Sequence, residues 1–276
     1  MNIGVIVPSV YNMFFAEVLD GIEDYLRRYS YFLMLSCAKS DGEQELNSIR
    51  AFVEEKVCGI IVVSPNTQGF NPERYLEAVK DTPLVFVNAQ CKIPGASYVS
   101  NDEELGALEA IRFLGELGHE KILFVRGANA DSYQVKEDAF RSVMSDKFNV
   151  ENYIVNIGEG NSLNTADLTT YKLSEILLST DATAVFCCND LMAVGAINAC
   201  HQIGLEVPDD ISVIGYDNTS IANYFTPKIT SVDQNMFQLG RNAAQVLIEK
   251  IKTGKSKRIT LYNTIIERES TGVVRR

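Results

Sequence analysis

Short apolar runs alternate along this chain with longer stretches that are apolar on one face only. The runs N-I-G-V-I-V-P, Y-F-L-M-L-S-C, G-I-I-V-V-S-P and P-L-V-F-V-N are separated by residues 15–29, residues 43–55 and a segment starting at Pro72, all with helical spacing. Continuous β-branched runs joined by amphipathic segments predict strands buried on both faces, each crossing to the next through a helix. The order restarts after N-D-E-E-L-G-A. A helix to Leu117 is followed by K-I-L-F-V-R-G, a helix through Phe140 to Met144, Y-I-V-N-I-G, a helix over 169–178, A-V-F-C-C-N, a helix over 191–203 and I-S-V-I-G-Y-D. A last long helix is expected over 236–252, with Leu239, Ala243, Val246 and Leu247 on its apolar stripe and Gly254 as its stop. Two such series in tandem predict an α/β protein of two similar lobes, each a parallel sheet flanked by helices. No Pro/Gly/Ser-rich tether separates the series, so short crossovers that favour a hinge are expected.

In an open α/β sheet, ligands bind beyond the carboxyl ends of the strands. That rule singles out two phrases, A-V-F-C-C-N-D-L-M-A-V-G and V-P-D-D-I-S-V-I-G-Y-D-N, in which Asn189, Asp190, Asp217 and Asn218 close an apolar run where a helix begins. Asp190 is expected to cap the helix that starts at Leu191.

Composition narrows the classes. With 276 residues, 46% hydrophobic and 22% charged, the chain can form one large or two medium domains, and disorder is excluded. No apolar run reaches the roughly 18 to 20 residues that span a bilayer, and Met1 leads straight into a strand instead of a secretory signal, so a cytoplasmic protein is expected. A net charge of −11 opposes a phosphate backbone, so the chain alone is not expected to hold nucleic acid well. The six cysteines, Cys37, Cys58, Cys91, Cys187, Cys188 and Cys200, show no C-x-x-C spacing and are expected as buried thiols. His119 and His201 lie too far apart for a local metal motif, so no metal and no cofactor are expected.

Catalytic signatures are missing as well. The chain has no G-x-S-x-G and no H-E-x-x-H. Gly254-Lys255-Ser256 resembles the end of a phosphate loop, but Glu249 stands where that loop needs glycine, and Gly158-Glu159-Gly160 lacks the third glycine of a dinucleotide fingerprint. Carboxylates abound, yet nothing selects an acid/base pair, and no enzyme is expected.

Several phrases, taken in order, resemble the effector-binding core of the LacI/GalR (lactose/galactose repressor) family. They are G-V-I-V-P-S-V-Y-N-M-F-F-A-E-V-L-D-G-I-E, C-G-I-I-V-V-S-P, N-D-E-E-L-G-A, L-G-H-E-K-I-L-F-V, N-D-L-M-A-V-G-A, V-P-D-D-I-S-V-I-G-Y-D-N, Y-F-T-P-K-I-T-S-V-D-Q and R-E-S-T-G. The resemblance covers essentially the whole chain. It implies a periplasmic-binding-protein-like fold of two lobes joined by three crossovers, residues 1–101 with 233–261 forming one lobe and 102–232 with 262–276 the other. A small effector, a sugar or sugar derivative, is then expected in the interlobe cleft of a homodimeric, sugar-responsive transcriptional regulator, where it shifts hinge closure and operator affinity. Family regulators reach operator DNA through a helix-turn-helix domain ahead of the first strand. Here only Met1 and Asn2 precede that strand, so the DNA-binding domain is expected to be absent from this chain.

The same resemblance nominates site residues. Asn12, Phe14 and Phe15 lie in the first cleft loop, where aromatics pack on a sugar or purine face, although both phenylalanines also suit the core under the first helix. Asn101 lies beside the first crossover, next to Asp102, which suits a helix N-cap. Asn189 and Asp217 match an amide and a carboxylate contact, and Gln234 follows the region of the third crossover. Lys136 takes the place of a family arginine, exchanging a two-pronged guanidinium for a point charge, and Arg126 is the nearby alternative fork. His119 reads as structural. Two rival readings stand beside this one: a solute-binding receptor of a sugar transporter, which shares the fold and cleft, and a sugar-modifying α/β enzyme that turns over its ligand.

Overall fold

Both series of predicted strands build a six-stranded sheet in the computed structural model, which describes residues 1–68, 71–128, 130–146 and 149–275. The chain begins with β1 (Asn2–Val7), α1 (Met13–Arg27), β2 (Phe32–Cys37), α2 (Gly42–Glu54), β3 (Gly59–Val63), α3 (Arg74–Val79), β4 (Leu84–Val87) and β5 (Ser97–Asn101). It continues with α4 (Glu103–Glu116), β6 (Ile122–Arg126), α5 (Asp131–Met144), β7 (Ile154–Asn156), α6 (Thr165–Ile176), β8 (Ala184–Cys187), α7 (Asp190–Gln202) and β9 (Ser212–Asp217). It closes with α8 (Ser220–Tyr224), β10 (Thr230–Asp233), α9 (Met236–Thr253), β11 (Arg258–Leu261) and β12 (Thr264–Ile266). The expected α/β architecture is therefore present.

The first unit comprises Met1–Asn101, Asn129–Ser132 and Asn235–Leu261. Its sheet runs β11-β5-β4-β3-β1-β2, every neighbouring pair parallel. Because β1, β3 and β4 alternate their side chains between two covered faces, nearly every position in them is buried. On one face Val5, Ile61 and Val85 pack beneath Val18, Ile22 and Leu26 of α1 and Leu239, Ala243 and Leu247 of α9. On the other, Ile6, Ile60, Val62 and Phe86 meet Leu46, Ile49 and Phe52 of α2 and Tyr75 and Ala78 of α3.

The second unit comprises Asp102–Ala128, Tyr133–Gln234 and Tyr262–Arg276. Its sheet runs β12-β10-β9-β8-β6-β7, parallel except for β12, which lies antiparallel to β10. Phe124 of β6 sits at the centre of an aromatic cluster, with ring centroids 5.0 Å from Phe140 and 5.4 Å from Phe186. His119 serves structure, as expected. It bridges Thr183 Oγ1 at 2.9 Å and the Gly272 carbonyl at 3.0 Å, and burial holds its pKa below the usual value although the Gly272 contact acts the other way.

Two expectations need correction. The thiol reading holds for Cys187, Cys188 and Cys200, but Cys37 is exposed and Cys58 and Cys91 are half-buried. Cys37 ends β2, the edge strand of its sheet, which has only β1 beside it. The second correction concerns Asp190. Asn189 is the N-cap of α7, its Oδ1 accepting from the Met192 N–H at 2.9 Å, and Asp190 is already the first helical residue.

Candidate ligand site

Most nominated residues fall at the carboxyl ends of strands. Asn12 follows β1, Asn101 ends β5, Arg126 ends β6, Asn189 follows β8, Asp217 ends β9 and Gln234 follows β10. The backbone is strained at the same edges. Asp217 and Asn218 adopt φ of 105° and 59°, and in the first unit Ser64 after β3 and Asn88 after β4 adopt 46° and 50°. Non-glycine residues enter this left-handed region at a penalty and persist there only where their surroundings hold them, which is commonest at binding sites.

On the second unit, Asp217 is buried. Gln234 Nε2 donates to its Oδ1 at 2.6 Å and the Gln234 N–H to the Asp217 carbonyl at 3.4 Å, so one carboxyl oxygen is held by the protein. Burial, reinforced by the Asp190 carboxylate, pushes the Asp217 pKa well above the ordinary range, against the opposing pull of Lys136. A carboxyl that keeps its proton to higher pH can donate to a ligand oxygen as well as accept from a hydroxyl.

Lys136 projects from α5 into the same neighbourhood with 2% of its surface exposed. Its Nζ lies 3.2 Å from Glu103 Oε1 and 4.2 Å from the centroid of the Tyr216 ring. Burial disfavours the ammonium, but the carboxylates of Glu103 and Asp217 outweigh it, and the pKa lies above that of a free lysine. Tyr216 is anchored in turn, its hydroxyl donating to the Glu103 carbonyl at 3.4 Å and accepting from Asn263 Nδ2 at 2.8 Å. Gly106 makes room for this, since a Cβ there would stand 2.4 Å from the Tyr216 hydroxyl.

The other two nominees on this unit are engaged within the protein. Besides capping α7, Asn189 donates from Nδ2 to the Gly160 carbonyl at 2.8 Å and reaches the Tyr133 hydroxyl at 3.5 Å, which ties the loop after β7 to the end of β8. Arg126 donates from Nε to the Gly127 carbonyl at 2.8 Å, from Nη1 to Gln134 Oε1 at 3.1 Å and to the Glu137 carboxylate, and from Nη2 to the Ala128 carbonyl at 3.4 Å. On the first unit, Asn12 caps α1 by accepting from the Phe14 N–H at 3.0 Å. Phe14 and Phe15 belong to the core beneath α1 and α9 and meet edge to face at 5.2 Å. The Asn101 N–H donates to Asn88 Oδ1 at 2.8 Å, and Asp102 caps α4 by accepting from the Leu105 N–H at 3.0 Å.

Glu103, Tyr216 and Tyr133 were not singled out from the sequence. Tyr216 stands directly before Asp217 in G-Y-D, and an alternation argument places it on the opposite face of β9. Glu103 sits in an acidic N-D-E-E run that reads as an ordinary first helical turn.

A sheet pair with its polar residues gathered at strand ends defines a periplasmic-binding-protein-like domain, and the model of that family matches residues 111–271. The repressor PurR of Vibrio cholerae serotype O1, described as an HTH-type transcriptional repressor, is 35% identical over 98% of this chain and 80% of its own length. Among solved structures, a LacI family transcriptional regulator from Enterococcus faecium with bound ribose superposes with a TM-score of 0.86 at 26% identity, covering 100% of both chains. A second, from Enterococcus faecalis V583 and also with bound ribose, gives 0.85 at 28% identity over 100% of both. The chain belongs to the PurR/LacI family of transcriptional regulators, and what it contains is that family's ligand-binding core.

Proposed function

We propose that this chain is the effector-sensing, dimerising core of a sugar-responsive repressor that works in the cytoplasm. Its effector, a small polyhydroxyl compound, binds on the second unit with Asp217 as the principal contact and Gln234 as the residue that orients it. Lys136, Asn189 and Arg126 shape the surrounding wall. The observation that carries the reading is the consecutive left-handed pair Asp217 and Asn218 at the end of β9, with the Asp217 carboxyl fixed by Gln234. A strained, buried carboxyl presented at a strand end is a costly arrangement for packing alone and a suitable one for hydroxyl recognition. The repressor description of the V. cholerae relative and the ribose held by two structural neighbours agree with it. Effector binding that favours one hinge state by about 1 to 3 kcal/mol is enough to change operator affinity in the assembled regulator.

Thermal unfolding against a panel of monosaccharides, disaccharides and purines tests this. An effector at a hundred times its Kd stabilises the folded state by about 2.7 kcal/mol and raises the midpoint of the parent. The same compound is expected to leave Asp217→Ala unmoved. Equal shifts in parent and variant, or conversion of the compound to a product, would overturn the assignment.

A further inference from the structure

Two cations at the second unit's site, Lys136 and Arg126, each face a buried carboxylate. Lys136 Nζ is 3.2 Å from Glu103 Oε1, with only 2% and 3% of the two side chains exposed. Arg126 is paired with Glu137, whose other oxygen accepts from Arg141 Nε at 2.7 Å. Glu103 lies in the first turn of α4, beside the free N–H groups at that helix end. The Tyr216 ring covers the ammonium at 4.2 Å, so the charge is further satisfied by an aromatic face. A dianionic phosphate entering this site would therefore meet a cation already matched by the Glu103 carboxylate. It would also leave its hydration shell behind without a partner to replace it.

We infer that Glu103, by neutralising Lys136, makes the site selective for uncharged ligands and closes it to their phosphorylated forms. The inference rests on the proposed effector site and adds to it a specificity residue, Glu103, that acts through Lys136. Asn263 and Gly106 support the arrangement indirectly. They hold the Tyr216 hydroxyl in place, and with it the ring that lies against Lys136 Nζ.

The test compares ribose with ribose 5-phosphate, glucose with glucose 6-phosphate, and potassium phosphate with potassium chloride at equal ionic strength, by thermal unfolding of the whole chain. In the parent, each phosphorylated sugar is expected to bind at least tenfold more weakly than its uncharged counterpart, and phosphate is expected to give no saturable shift beyond that of chloride. Glu103→Gln exposes the Lys136 charge, so a saturable phosphate shift should appear and should vanish in the double variant Glu103→Gln/Lys136→Gln. A folded Glu103→Gln that gains no phosphate response would overturn the masking role. So would a saturable phosphate or sugar phosphate shift in the parent that Lys136→Gln abolishes, and this comparison stands even where Glu103→Gln fails to fold. Failure of the effector site itself reads differently, as the absence of any Asp217-dependent response to uncharged compounds.

Discussion

Asp190 and Asp217 are residues of one type, both buried at strand ends of one sheet, yet their surroundings employ them in opposite ways. Asp190 accepts from the Thr219 N–H at 2.7 Å, the Thr219 hydroxyl at 2.8 Å and the Ser231 hydroxyl at 2.6 Å, so its carboxylate is consumed in stitching the ends of β9 and β10 to α7. The sequence could not separate these roles, because in N-D-L-M either Asn189 or Asp190 makes a good cap and a shift of one residue in the helix start decides which. Asp217 was legible from its place after an apolar run and Gln234 through the family resemblance, whereas the pairing of Glu103 with Lys136 joins residues 33 apart and leaves no local trace. Glu45 was equally silent. In the first unit its carboxyl is buried, accepts from the Tyr75 hydroxyl and accepts from the Asn66 N–H at 3.0 Å. Burial raises its pKa from the usual 4.5 to about 7, with the carboxylates of Asp131 and Asp41 acting in the same direction against those hydrogen bonds. Between these two values the unfolded chain has released a proton that the folded chain still holds, so stability falls as pH rises through this window and levels off above it. The loss amounts to about 3 kcal/mol at about 1.4 kcal/mol per pH unit. Glu45→Gln is expected to match the parent near pH 4.5 and to exceed it by most of that amount at pH 8 in urea titrations. A variant whose advantage is the same at both pH values would show that Glu45 does not titrate in this window.

Elements were most legible where packing and local pattern agree. The continuous runs that became β1, β3, β4, β6, β8 and β9 were readable because strands buried on both faces need no polar alternation. By contrast S-Y-V-S-N and T-S-V-D, which form β5 and β10, are half polar and gave no strand signal. Ser97, Thr230 and Ser231 are buried but hydrogen-bonded within the fold, as when the Thr230 N–H donates to Ser270 Oγ at 2.9 Å. The long α9 was predicted from its stripe, but its closeness to α1 depends on two glycines that no periodicity reveals. A Cβ on Gly21 would stand 2.0 Å from the Phe237 carbonyl oxygen, and one on Gly240 would stand 2.1 Å from that of Val18. The obstacle in both cases is backbone, which cannot rotate aside, so a methyl must push the helices apart and open gaps around Val18, Ile22 and Leu239. Gly240→Ala is therefore expected to destabilise the protein by about 1 to 3 kcal/mol despite the higher helix propensity of alanine, which acts in the opposite direction by roughly 1 kcal/mol. A shift of the urea midpoint to higher concentration would show that the helices separate without loss of packing.

At the scale of the whole molecule, the tandem βαβ pattern tells only part of the order, because neither unit is one continuous stretch. The chain leaves the first unit after Asn101, touches it again at 129–132, supplies it once more from Asn235 to Leu261, and then returns to the second unit for its last residues. Those late segments are structural necessities for both. In the first unit α9 brings Met236, Leu239, Val246, Leu247 and Ile248 into the core, and β11 pairs with β5 as the edge of the sheet. Burying each such side chain contributes roughly 1.5 to 3 kcal/mol, so α9 accounts for on the order of 10 kcal/mol, comparable to the whole net stability of a typical domain. In the second unit the closing segment is held by polar contacts. The Val213 N–H donates to the Ser270 carbonyl at 2.8 Å, the Gly272 N–H to Ser212 Oγ at 3.0 Å, and the Thr230 and Thr271 hydroxyls meet at 2.8 Å. Removing it would leave Thr230 and the β9 backbone buried with polar groups unsatisfied. A chain ending at Gln234 keeps most of the strands of both sheets, yet it loses what covers one and satisfies the other. It is expected to show no cooperative thermal transition and no near-ultraviolet circular dichroism from ordered aromatics. A cooperative transition with the parent's near-ultraviolet spectrum would mean that one unit folds without its returning segment, and that the long-range return of the chain is not what completes the fold.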